Sequence, residues 1–255
     1  MTMDLQLTGL RALVTGGTKG IGRAVVEALT AEGVAVAFCA RTESDVKETV
    51  KTLEGTGARV LGETLDVADG PALTAWVGRA AEELGGLDIV VCNISALAIG
   101  PDEEQWRASF DVDLMHTVRV VNAALPHLER GTAGNVIVVS SVSGREIDFA
   151  AAAYGATKAA LIHYTQGLAY ELAPKGLRAN SVSPGNTFFP GGVWSQTKEN
   201  NPELFATALA LNPTGRMGKP EEMAYAVTML ASPRASFISG TNVVVDGALT
   251  RGVQF

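Results

Sequence analysis

The chain has 255 residues, enough for one large α/β domain or two small ones, and its 47% hydrophobic and 18% charged residues describe a globular protein that needs no disulfide or metal to hold a core. Twenty basic against 27 acidic side chains leave a net charge of −7, which repels phosphate backbones and argues against nucleic-acid binding. Cys39 and Cys92 lie in apolar runs without a second cysteine at metal-ligand spacing, and no apolar run approaches the roughly 18 residues of a membrane span. The expectation is therefore a reduced, cytoplasmic protein with no metal and no membrane partner.

Seven short runs rich in β-branched residues follow along the chain, at 11–15, 34–39, 59–65, 88–92, 135–140, 177–182 and 242–245. Most are separated by ten or more residues with apolar positions at three- and four-residue spacing, such as Ala24, Val25, Ala28 and Leu29. Strand and helix in alternation demand a parallel sheet, and Val136-Ile137-Val138-Val139 reads as a strand covered on both faces. No linker or repeat divides the chain, so one domain over 1–255 is predicted. The stretch 184–218, with four prolines, Phe188-Phe189 and Trp194, resists assignment and is expected to be a substrate loop. Phe188, Phe189, Pro190 and Trp194 suit either an apolar substrate wall or a packed lid without substrate contact.

The first strand ends in Thr15-Gly16-Gly17-Thr18-Lys19-Gly20-Ile21-Gly22, and a helix follows at once. Glycines there permit a turn, an approaching phosphate and close helix–strand packing, while backbone N–H groups and the positive helix end face an anion. The spacing differs from G-x-G-x-x-G, and a plain tight turn uses the same residues. The second strand ends in Ala40-Arg41, where an unmodified adenosine ribose usually meets a carboxylate. Arg41 can instead fork onto a 2′-phosphate, with Lys19 as a second cation, which favours NADP over NAD; two solvated surface cations are the bland alternative. Asp66, Asn93, Ser141 and Ser183-Pro184-Gly185 follow later strands, so a parallel sheet would gather them on the edge where open α/β sheets bind ligands.

Tyr154 and Lys158 stand four apart at the start of a predicted helix, on one face, where the ammonium favours a phenolate. Ser141, thirteen residues before Tyr154, can donate to a substrate carbonyl oxygen that Tyr154 protonates. Alone, Tyr-x-x-x-Lys usually marks only a helix surface. His116, His127 and His163 lack metal-ligand spacing and are expected in solvated or core roles, and Ser141 lacks the G-x-S-x-G elbow of a hydrolase.

Together, the glycine turn, Asp66-Val67, Asn93, Ser141, Tyr154/Lys158 and Pro184-Gly185 resemble the classical short-chain dehydrogenase/reductase family in order and spacing over nearly the whole chain. Arg216 to Glu222 and Gly240 to Gly247 look nearest to 3-oxoacyl-[acyl-carrier-protein] reductases. The resemblance implies a Rossmann-type doubly wound sheet with helices on both faces. It implies Tyr154 as general acid/base, Ser141 as the residue that orients and polarises the carbonyl, and Lys158 as the group that tunes Tyr154 and binds the nicotinamide ribose. Cofactor contacts are expected from Gly16, Thr18, Lys19, Gly20, Ile21, Arg41, Asn93, Tyr154, Lys158, Pro184, Gly185 and Thr187, and adenine contacts from Asp66 and Val67.

Two departures stand out. Asp113, 28 residues ahead of Ser141, replaces the family's usual Asn, and an ionised Asp accepts but cannot donate; it is expected to hold the relay water or to pair with Lys158. Cys92-Asn93-Ile94-Ser95 replaces the common Asn-Asn-Ala-Gly, adding bulk beside the nicotinamide. The resulting expectation is an oxidoreductase that uses NADP(H), with NAD(H) left open, to move hydride between the nicotinamide and a small carbonyl or secondary alcohol. An NADP-binding sensor with weak turnover is the rival reading. The family also implies a homodimer or homotetramer packed through the helices that carry Asp113 and Tyr154.

Overall fold

The computed structural model describes residues 4–150 and 152–253. Seven strands, β1 (Arg11–Thr15), β2 (Ala35–Ala40), β3 (Val60–Thr64), β4 (Ile89–Cys92), β5 (Asn135–Val139), β6 (Arg178–Pro184) and β7 (Asn242–Val245), form one sheet in the order β3-β2-β1-β4-β5-β6-β7. Every pairing is parallel. The seven expected strands are all present, with no end displaced by more than two residues. The largest extension is at β6, which runs on to Pro184 because that residue still stands opposite Val245 of β7.

Three helices cover one face of the sheet: α1 (Gly20–Ala31), α2 (Glu43–Leu53) and α9 (Pro220–Ala231). They bury Val25, Leu29, Val46 and Val227 against Val14, Val36, Phe38 and Ile137. The other face is covered by α3 (Gly70–Leu84), α5 (His116–Leu128) and α6 (Ala153–Leu172), whose Leu73, Val120, Ala124 and Leu161 meet Leu13, Val90, Val136 and Val138. Successive strand residues thus point to opposite cores, which is why the strands read as unbroken apolar runs. Arg178, buried at the base of β6, donates to the carbonyls of Leu230, Ser232 and Ile238, and its cation offsets the negative end of α9.

β1 lies between β2 and β4, so the chain's direction of travel across the sheet reverses there and leaves a crevice at the carboxyl ends of β1 and β4. Two irregular segments border it. The first is a π-helical turn, Phe110–Met115, between α4 (Glu103–Ser109) and α5. Such turns re-aim side chains and often mark working sites. Asp113 stands in this turn, where the sequence suggested a plain long helix.

The second is the stretch 184–218. It contains α7 (Val193–Asn200) and α8 (Pro202–Ala210), neither of which was anticipated. Pro202 opens α8 at the first helical turn, where a missing N–H costs nothing, so one of the four prolines that suggested a loop here begins a helix. Trp194, Ala208 and Met217 form a small core with Phe188, Phe205 and Leu209. Both ends of the stretch are clamped together. Phe188 donates to the Gly218 carbonyl at 2.9 Å, and Gly218 donates to that of Asn186 at 2.8 Å.

Candidate active site

The glycine turn after β1 leaves the first turn of α1 without a side-chain cap, so its N–H groups are free to face an anion. Gly22 permits the close packing: a Cβ there would lie 2.0 Å from the Gly16 carbonyl oxygen. At Gly20, where φ is +53°, a Cβ would come within 2.5 Å of the Phe189 ring, which lies against the turn from the stretch 184–218. Ile94, the bulky departure after β4, packs onto Gly16, and Ser95 lines the crevice.

A buried chain of polar groups ties this turn to the π-helical segment. Asn93 N–H donates to Thr15 Oγ1 at 3.0 Å, and Thr15 Oγ1 lies 3.2 Å from His116 Nε2. His116 Nδ1 is 2.5 Å from the Val112 carbonyl, which can only accept, so Nδ1 carries the proton and Nε2 accepts from the threonine hydroxyl. Burial pushes the His116 pKa down to about 4, which keeps the ring neutral. The histidine expected in a solvated or core role is therefore a core residue that braces the glycine turn. A lone histidine without motif spacing carried no signal for that placement.

Lys19, Ile21, Asn93, Ser141, Tyr154, Lys158, Pro184, Gly185 and Thr187 all line one cleft of about 310 Å3, drawn from four strand ends and the start of α6. Gly16, Thr18 and Gly20 belong to the turn at its margin. Arg41 is exposed at the end of β2, with no partner among the described residues. Lys19 Nζ pairs with Asp45 Oδ2 at 2.7 Å, so its charge is already shared. Asp66 Oδ1 accepts from Ala68 N–H at 3.0 Å and Val67 is buried in the core; neither lines the cleft.

At the reacting end, Lys158 Nζ stands 5.4 Å from the Tyr154 ring centre and 3.0 Å from Asp113 Oδ1. It also donates to the Val139 carbonyl at 3.4 Å. Asp113 Oδ2 accepts from Ala96 N–H at 2.9 Å. Lys158 is 2% exposed and Asp113 is fully buried, so the carboxylate supplies a counter-charge in a place water does not reach. The ion pair with Lys158, one of the two roles expected of Asp113, is present in the structure.

Ser141 caps the short turn after β5 and accepts from Ser143 N–H at 3.2 Å, while its hydroxyl donates to Ser143 Oγ at 3.3 Å. Ser143 Oγ in turn donates to Asp148 Oδ2 at 2.6 Å, and Asp148 Oδ1 accepts from Ala150 N–H at 2.8 Å. Ser143 and Asp148 line the cleft beside Phe149 and Trp194, whose rings meet edge to face at 5.7 Å. Phe189 and Trp194 reach the cleft, whereas Phe188 packs in the small core with Phe205. The aromatic run thus divides between wall and packing. Cys39 and Cys92 are buried free thiols, each pushed up to about 12 by desolvation. Among the described residues no cluster could hold a metal and no helix is long and apolar enough to cross a membrane.

A family model described as Enoyl-(Acyl carrier protein) reductase matches residues 16–250. Isoepoxydon dehydrogenase patN of Penicillium expansum is 40% identical over all of both chains. The 3-oxoacyl-[acyl-carrier-protein] reductase FabG of Vibrio cholerae is 34% identical over 96% of this chain and 99% of its own. The crystal structure of L-sorbose reductase from Gluconobacter frateurii, complexed with NADPH and L-sorbose, superposes with a TM-score of 0.89 at 28% identity, covering 98% of this chain and 100% of its own. Both the crevice geometry and these likenesses lead to one conclusion: the chain belongs to the short-chain dehydrogenase/reductase family, oxidoreductases that act on CH–OH and C=O groups.

Proposed function

We propose that the protein is an NADP(H)-dependent oxidoreductase of small carbonyl compounds or secondary alcohols, with Tyr154 as general acid/base. The observation that carries this reading is the meeting of Tyr154, Ser141 and Lys158 in one cleft, with the lysine held on a buried carboxylate. The uncapped start of α1 and the glycine turn fit a dinucleotide's phosphates, and unpaired Arg41 is placed to meet a 2′-phosphate. NADPH in the L-sorbose reductase structure supports the same preference. NAD(H) is the alternative, since Asp45 and Glu43 in the first turn of α2 oppose added negative charge.

When bound, the nicotinamide supplies or accepts hydride at the substrate carbon. The protein's part is at the oxygen. In reduction, Tyr154 gives its phenolic proton to the carbonyl oxygen as the carbon takes hydride, and Ser141 donates a hydrogen bond to the same oxygen. Ser143 N–H holds the Ser141 oxygen from behind, and the Ser141 hydroxyl, which donates to Ser143 Oγ in the free cleft, turns its proton to the substrate oxygen. The Lys158 ammonium stabilises the phenolate that remains, and Asp113 keeps that ammonium in place without solvent. Oxidation of an alcohol runs the same steps backwards. Gly16, Thr18, Gly20, Ile21, Asn93, Pro184, Gly185 and Thr187 would contact the dinucleotide, with Asp66 and Val67 at its adenine.

This enzyme is proposed to act as a single domain whose stretch 184–218 supplies the substrate wall. It would assemble as a homodimer or homotetramer through the faces that expose Trp106, Phe110 and Tyr170, in the reducing cytoplasm that suits its free thiols. Tyr154→Phe tests the central assignment: NADPH-dependent reduction of a ketone panel should fall by about 10²- to 10⁴-fold while NADPH affinity stays within a few fold. Tight NADPH binding with no turnover on any ketone, and no effect of the substitution, would support the sensor reading instead.

A further inference from the structure

Three charged side chains line the cleft, Lys19, Lys158 and Asp148. Lys19 is paired with Asp45 and Lys158 with Asp113, each within 3.0 Å. Asp148 has no cationic partner among the described residues. Its carboxylate is half-buried and held in place by Ser143 Oγ on one oxygen and Ala150 N–H on the other. Each oxygen retains a lone pair for a further donor. The surrounding wall is apolar, made by Leu97, Ile99, Phe149, Val193 and Trp194. An anchored, uncompensated acceptor in an apolar wall stands within two hydrogen bonds of Ser141 Oγ, the group that marks the reacting oxygen.

Resting on the oxidoreductase reading above, we infer that Asp148 determines specificity by accepting a hydrogen bond from a substrate hydroxyl one or two carbons from the reacting carbon. The substrate class is then a compact, uncharged hydroxy-ketone, or the corresponding diol, with an apolar remainder. Substrates that carry a carboxylate or phosphate at this end meet an unneutralised negative charge and are rejected. Simple ketones bind the apolar wall but leave Asp148 with solvent in place of a partner. Ser143 is a positioning residue here: its hydroxyl fixes one Asp148 oxygen, while its backbone N–H fixes Ser141.

The test compares cyclohexanone, 2-hydroxycyclohexanone and 4-oxocyclohexanecarboxylate as substrates of the full chain with NADPH. Wild-type protein is expected to favour the hydroxy-ketone over cyclohexanone by roughly tenfold or more in kcat/KM, the range of a hydrogen bond to a charged group. Asp148→Ala should remove most of that ratio, chiefly through KM for the hydroxy-ketone, and Asp148→Asn, which still offers a carbonyl oxygen, should retain part of it. Asp148→Lys should raise the relative rate on the keto-carboxylate. Turnover of both neutral ketones with a ratio that Asp148→Ala leaves unchanged overturns this inference alone. An equal loss on both neutral ketones also overturns it, since it would give Asp148 only a structural role through Ser143. No oxidation of NADPH or NADH with any of the three overturns the oxidoreductase reading and this inference with it.

Discussion

At the Tyr154 end of the cleft Lys158 and Asp113 pair with 2% and 0% of their side chains exposed, whereas at the glycine-turn end Lys19 and Asp45 pair with 67% and 24% exposed. The two contacts have similar lengths, 3.0 and 2.7 Å, but very different surroundings. Water and salt screen the outer pair, so its contribution to stability is small and its charge is available to a ligand. Around the inner pair there is little to replace a missing partner, and each charge depends on the other. One end of the cleft is thus built to hold a fixed electrostatic arrangement, and the other to be adjusted by whatever anion arrives.

Removing one partner from each pair should separate the two ends most clearly. Asp113→Ala is expected to cost about 3–5 kcal/mol of stability in denaturant unfolding, because it strands a buried ammonium. Lys19→Ala should cost under about 1 kcal/mol. Similar losses for the two would break the comparison. The dryness of the inner end predicts a further effect through His116, whose pKa is about 4 in the folded chain against about 6.5 when unfolded. The unfolded state then binds the extra proton between those values. Stability is full above about pH 6.5 and falls by about 3 kcal/mol as the pH drops to about 4. Unfolding midpoints measured across that window should show the slope in wild-type protein and a shallower one in His116→Gln; equal slopes would mean that the ring is hydrated. A smaller effect than that of His116 belongs to the outer end. Arg41→Asp should lower the NADPH-to-NADH ratio of kcat/KM by roughly tenfold, about 1.4 kcal/mol, and the difference should shrink at high ionic strength. An unchanged ratio would remove Arg41 from cofactor selection.

Much of the molecule can be read in the sequence because its determinants are local. Val136 to Val139 are buried on both faces, and such a run has few alternatives to a central parallel strand. Residues that follow strands reach one edge whatever the details of the helices, which brought Asn93, Ser141 and Pro184 together correctly. The helices at 193–210 were missed because they pack on a core of a few side chains around Trp194, too small to impose a clear amphipathic pattern. His116 was placed only by a partner 101 residues away, Thr15, and by an extra-wide helical turn that no propensity announces. Asp148 lies in an irregular segment among Gly, Arg, Glu and Ile, where a carboxylate reads as surface until its serine partner is located. The pairing of Asp113 with Lys158 was among the expected alternatives, but the burial of both groups is not readable from their spacing.

The clamp at Asn186, Phe188 and Gly218 ties both ends of the intervening segment together, and the segment's Trp194 and Phe188 pack in a small core of their own. Exchanging what lies between those residues for another sequence of similar volume would leave Ser141 after β5 and Tyr154 and Lys158 on α6, the groups proposed to handle the proton, in their own elements. Evolution and protein engineers alike can therefore vary what the pocket admits without rebuilding how it reacts.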